Sequence, residues 1–191
     1  MSLNQMIYDF AVWLDTHSPS TALHESFYMY NWIESTHVLA LMISLGMLFL
    51  IDLRMLGLAL PDIPASTLAQ RLSLPMLAGF GVMFVTGLML FYAIPVRTSQ
   101  SLWFRIKIIL LIAAAINAWL FHRRLRAAGA DWDTMRKAPR PLQWGAGLSL
   151  LFWALIVICG RLIAYDWFDC RTSPIEPIAS VAGCLIDQAQ F

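Results

Sequence analysis

The chain has 191 residues, of which 59% are hydrophobic and only 13% charged, whereas soluble domains carry about 25% charged residues. That balance excludes an ordinary water-soluble globule, and a mean hydropathy of +0.65 points to a polytopic membrane protein. The formal net charge of +1 says little by itself; where the charges fall says more.

Taken in chain order, Met1 to Asp15 lacks a basic start, carries Asp9 and Asp15, and does not read as a cleavable signal peptide. Met6, Ile7, Phe10, Val12, Trp13 and Leu14 form one apolar face of a helix over Leu3 to Thr16. Such a helix either lies at the membrane surface or packs on a loop of the bundle. Ser18-Pro19-Ser20 then signals the start of a second short helix carrying His24.

Four spans follow: Trp32 to Leu53, the charge-free stretch between Arg71 and Arg97, Trp103 to Phe121, and the stretch between Arg140 and Arg161. Each approaches the roughly 20 residues needed to cross a bilayer. The third is the weakest, because Arg105 and Lys107 occupy its first turns. One or both must snorkel or bind something. The expected fold is all-α: a polytopic membrane four-helix bundle over residues 29–168, an N-terminal interfacial helix region over 1–28, and an exported tail over 169–191.

Six of the thirteen basic residues lie between spans three and four: Arg123, Arg124, Arg126, Arg136, Lys137 and Arg140. Only Asp131 and Asp133 oppose them. The positive-inside rule makes this loop cytoplasmic, together with Arg54 and Arg71. Both termini and the Pro95 to Leu102 connection are then outside, in the periplasm of a bacterium, with the spans in its inner membrane. Cys170 and Cys184 fall in the exported tail with Pro174 and Pro177, and Cys159 falls in span four. In an oxidising compartment the tail cysteines either form a disulfide or remain free thiols. A bridge would close a loop of about 15 residues, worth roughly 3 kcal/mol by chain entropy.

The most informative residue is His37, about one turn after Glu34 inside the first span. Ionisable groups within a span usually mark a functional site. With the topology above, spans one, three and four deliver His37, Lys107, Arg161 and Tyr165 to one layer near the outer surface, with Glu34 and Arg105 just above. His122 follows Lys107 by about 22 Å along its helix, so it cannot share a haem or metal with His37; it reads as an interfacial side chain. His17 and His24 lie outside and default to surface residues. An unbroken helix would put His24 about 20 Å from His37.

Neutral imidazole suits haem iron and also copper and zinc. Haem needs an axial ligand, an apolar slot and cations for its propionates. Gly79, Gly81 and Gly87 allow close approach of a helix or a flat ring, and Arg161, Arg105 and Arg97 are candidate propionate partners. Met42, Met83 and Met89 are more often packing than ligands. Glu34-x-x-His37 shares the spacing of carboxylate-bridged metal sites, but spans two to four offer no further carboxylates. Glu34 therefore reads as a group that orients His37 or neutralises a cation.

Trp32-Ile33-Glu34-x-x-His37-Val38-Leu39, Gly46, and Asp52-Leu53-Arg54-x-Leu56-Gly57 resemble a large uncharacterised family of bacterial four-span proteins. So do Phe104-x-x-Lys107, Asn117, Phe121-His122 and Gly160-Arg161-Leu162-Ile163-Ala164-Tyr165. The resemblance runs from about Trp32 to Tyr165 and leaves out the tail after Asp169. His37, Arg54 and Lys107 are also similar in order to residues of the HemJ-type protoporphyrinogen oxidases, and the chain has a looser similarity to CopD-type copper-resistance membrane proteins. Asp52-Leu53-Arg54 stands where HemJ-type proteins have Leu-Pro-Arg, and the spacing from the lysine to the next histidine differs. The resemblance implies haem b at the His37 position with the Lys107 position close by.

The leading expectation is a b-type haem protein for electron transfer or redox or gas sensing on the periplasmic side. His37 would be the axial ligand, Lys107 a second ligand or a nearby charge, and Arg161, with Arg105, the propionate partners. A second reading is a copper-handling protein using His17, His24, His37, Glu34 and Met29. A third is a membrane oxidoreductase, haem-dependent, acting on a porphyrinogen or quinone. In a fourth, His37 and Lys107 merely satisfy polar groups inside the bundle. The expected partners are the lipid bilayer and a second copy of the chain, with no nucleic acid.

Overall fold

The structure, a computed structural model, describes residues 3–128, 132–165, 170 and 176–184. Asp131, Pro174 and the chain beyond Cys184 lie outside them. The described residues form helices α1 (Leu3–Asp15), α2 (Ser18–Glu25), α3 (Phe27–Met55), α4 (Ala65–Ala93), α5 (Pro95–Ser99), α6 (Leu102–Ala127), α7 (Arg140–Ala164) and α8 (Glu176–Ala182), with no strand among them. Helices α3, α4, α6 and α7 are long and apolar enough to cross a membrane. The fold is all-α, with the four spans of a membrane helical bundle. Each span is longer than its hydropathic core, because helices continue into flanks where charged side chains can reach water or headgroups.

The chain forms two compact units. The first comprises Met1–Thr36, Val85–Ile109 and Ile156–Phe191. Here α1 packs against α5 and α2. It buries Ala11, 1% exposed, and leaves Met6, Phe10 and Trp13 on the open side. An exposed aromatic face on a short helix fits a helix lying at a membrane surface. Helix α2 begins with Pro19 in its first turn, but its cap position is His17, with no side-chain cap. Ser20 donates its hydroxyl to the Tyr92 carbonyl at 2.7 Å. The rings of Phe91 and Phe104 stack at 5.4 Å.

The second unit comprises His37–Phe84 and Leu110–Leu155. Its core is Ile51, Met55, Ala65, Leu68, Trp132, Ala138, Leu142 and Ala146. Helices α6 and α7 approach closely at Gly145, whose missing side chain leaves room for the Phe121 ring. Beside it, Asn117 Nδ2 donates to the Gly145 carbonyl at 2.9 Å. Small residues and amide side chains are the usual means of joining helices where lipid offers no hydrophobic drive.

Arg54, in the last turn of α3, is 1% exposed. Its Nε donates to the Ile63 carbonyl at 2.6 Å. Its terminal nitrogens donate to the carbonyls of Asp133, Met135 and Arg136 at 3.3, 3.0 and 3.3 Å. One side chain thus holds both the α3–α4 and the α6–α7 connections. The backbone adds Ala138 N–H to Met55 O at 3.1 Å and Ala65 N–H to Asp133 O at 3.3 Å. Gly57, at φ +70°, makes the turn out of α3, and the Arg136 carbonyl and Lys137 stem fill the space a side chain would need.

Asp133 caps α4 from the other connection. Its Oδ1 accepts from the Ser66 N–H at 2.7 Å, and its Oδ2 accepts from the Ser66 hydroxyl at 2.5 Å. The Ser66 hydroxyl bond, then the Ser66 N–H and the charge of Arg54, hold the Asp133 carboxyl below the usual carboxylate range.

Two outcomes follow from this packing. Arg54→Gln should cost about 3 kcal/mol or more, because several buried carbonyls lose their donor, whereas the exposed Arg71→Gln should stay within about 0.5 kcal/mol. Unfolding midpoints in a mixed-micelle titration read both. The second outcome concerns pH. Because the folded pKa of Asp133 is depressed, its contribution is full above the unfolded value of about 3.9 and is lost as pH falls through the folded one. Asp133→Asn should therefore lower thermal stability at neutral pH, and the gap from wild type should close on acidification below about pH 4. A gap that widens in acid would contradict the capping role.

Candidate functional site

Helix α3 carries both Glu34 and His37. Its start is set by Ser26, whose extended backbone (φ −75°, ψ 104°) separates it from α2. His24 is therefore on a different helix from His37, and it is exposed. His17 turns back on α1: its Nδ1 lies 2.8 Å from the Trp13 carbonyl oxygen, and its ring meets Trp13 edge-on at 4.7 Å. Among the described residues, no three His, Cys, Asp or Glu side chains converge as a metal site.

Glu34 is exposed and falls in the first unit; His37 is half-buried and opens the second. Lys107, Arg161, Tyr165 and Arg105 all fall in the first unit. Half-buried Lys107 points at α7, where its Nζ lies 3.8 Å from the place a Cβ on Gly160 would occupy. Cys159, beside Gly160 on α7, is a free, buried thiol. The bare backbone at Gly160 leaves room for the ammonium. Arg161 Nη2 donates to the Tyr165 hydroxyl at 2.6 Å, and its guanidinium lies 4.7 Å from that ring's centre. The two form a pair one helical turn apart on the open side of α7.

Arg105 has taken the second of its two options and binds protein. Its Nε donates to the Ser99 carbonyl at 3.3 Å. Its Nη1 donates to Asn4 Oδ1 at 2.8 Å and to the Val181 carbonyl at 2.9 Å. Val181 is in the last turn of α8, where a cation is favoured by the helix dipole. Gly183, at φ +79°, follows that helix, and any side chain there would strike the Arg105 guanidinium. Arg105 thus ties α1, α5 and α8 to the start of α6. The tail is further fixed by a Cys170–Cys184 disulfide, the first of the two states the sequence leaves open.

In the second unit, Gly79 is used for helix contact: a Cβ there would meet the Ser44 hydroxyl of α3. Ser44 is fully buried, and its Oγ has no hydrogen-bond partner among the described residues. A Cβ at Gly81 would meet nothing within 4 Å among the described residues. Asp52, 4% exposed, shares a side-chain hydrogen bond with Ser149 of α7, and its Oδ2 has no partner among the described residues. His122 is exposed, with Nδ1 3.1 Å from the Ala118 carbonyl.

The sequence marks Arg54 by topology and by resemblance, and Asp52 by resemblance alone. The available signal was the pair of opposite charges closing an apolar span, where exposure to water is the easier alternative. Neither was foreseen as buried.

A family model matches residues 25–166, more than half of the chain: a family of unknown function (DUF6644). The chain belongs to this family. The matched stretch takes in α3 to α7 and leaves out α1 and α8. No curated protein and no solved structure matches the chain.

Proposed function

We propose that this DUF6644 protein is an integral membrane b-type haem protein of the bacterial inner membrane, serving electron transfer or redox or gas sensing at the periplasmic side. The observation that carries this is His37, a half-buried imidazole within an apolar spanning helix. An imidazole nitrogen is the common protein ligand of haem iron. A single imidazole suffices for haem, because the porphyrin brings most of the iron's ligands itself. The donor chemistry therefore fits. A bound haem supplies a one-electron iron couple. His37 would hold it from α3.

Arg105 is the weaker candidate for this role, because its Nε and Nη1 already donate to Ser99, Asn4 and Val181. The copper reading has weaker support, since His17 is turned onto Trp13 and His24 sits exposed on a separate helix. The disulfide supports an exported tail, because such bridges persist in oxidising compartments. The basic residues flanking the α6–α7 connection support a cytoplasmic location for that end.

The deciding comparison is haem content per chain, by pyridine haemochrome, for wild type and His37→Ala purified from haem-supplemented cells. The variant should insert normally and lose its haem. A full haem complement in His37→Ala would overturn the assignment. Lys107→Ala and Arg161→Gln in the same assay report whether either contributes.

A further inference from the structure

We propose that the C-terminal half of α6 carries a binding site for one anionic phospholipid. Leu120, Arg123, Arg124 and Ala127 line a shallow, open surface patch in the second unit. They recur at the i, i+3, i+4, i+7 spacing of a single helix face. The patch has apolar side chains and two guanidinium groups. Arg123 sits 5.5 Å from the centre of the Trp119 ring, and Arg124 Nη1 donates to the Pro141 carbonyl at 3.3 Å. These contacts hold both groups at the patch and, among the described residues, use few of their ten N–H donors.

The same face continues into the span. Ile112, Ile116 and Trp119 are 56%, 53% and 59% exposed. From Ile112 to Arg123 is about 16 Å along a helix. A phosphate ester can therefore lie between the arginines while its acyl chain runs down the apolar lane. Arginine pairs favour phosphate oxygens through bidentate, charge-assisted bonds. Trp119 stands where the aromatic ring of a span prefers the headgroup boundary. Exposed Arg126 and Arg140 add positive charge nearby. A free phosphate would use the arginines but not the lane. The combination of head and tail features commits the site to an anionic lipid such as phosphatidylglycerol.

Native mass spectrometry of the full chain in mild detergent tests this, titrating phosphatidylglycerol or phosphatidylcholine with the same acyl chains. Wild type should retain one phosphatidylglycerol in preference to phosphatidylcholine. Arg123→Gln with Arg124→Gln should weaken that retention roughly 10- to 30-fold, from the usual contribution of each basic residue near an anionic surface. Arg136→Gln with Lys137→Gln removes the same charge away from the patch and should leave retention unchanged. Equal losses in the two double variants would mean diffuse attraction and overturn the site. So would equal retention of the two lipids, or full displacement by millimolar inorganic phosphate. If the first double variant fails to fold, brominated lipids decide the matter. Brominated phosphatidylglycerol should quench wild-type fluorescence at a lower mole fraction than brominated phosphatidylcholine, and Trp119→Phe should remove that difference. A difference that survives Trp119→Phe would overturn the site.

Discussion

A guanidinium buried against four backbone carbonyls is the constraint on which the second unit depends. Arg54 closes α3, and it reaches Ile63 on one connection and Asp133, Met135 and Arg136 on the other. Backbone carbonyls leaving a helix must find donors or water. One arginine, with five donors in a rigid fork, serves several of them at once. A lysine, with a point charge and three donors, would not span the same set. Around this clamp lie the Asp133 cap on α4 and the core of Met55, Trp132 and Leu142.

The first unit repeats the device with Arg105, which joins Asn4, Ser99 and Val181. Basic residues in this chain therefore divide by their environment. Arg54 and Arg105 are spent on the protein's own carbonyls and amide oxygens. Arg123 and Arg124 line an open surface patch, and Arg161 pairs with Tyr165 on the exposed side of α7. This division narrows the functional reading, because a charge committed to backbone groups is not free for a ligand. His37 is a half-buried imidazole inside a span, where polarity is costly.

The spans were legible because hydropathy is local: a run of apolar residues of sufficient length is visible without knowing its neighbours. The capacity of Cys170 and Cys184 to pair was also legible, from their number and position, although spacing alone left the oxidation state open. The Ser26 break and the turn of His17 onto Trp13 depend on backbone geometry that Ser-Pro-Ser did not encode. The partners of Arg54 and Arg105 were not legible at all. Arg54 meets residues 79 to 82 positions away, and Arg105 meets Asn4 across 101 positions. No local pattern carries such contacts. Arg105 looked like a propionate partner because a charge in a first turn of a span demands some acceptor. The sequence signals that demand, but not whether cofactor or protein meets it.

The most direct test of the haem reading is the optical spectrum of the unmodified protein, purified in mild detergent, oxidised and then reduced with dithionite, with iron and copper assayed on the same sample. The account predicts a Soret band and sharp reduced α and β bands, with iron in proportion to protein. Absence of a Soret band after expression with added haem would contradict it, whatever the copper content.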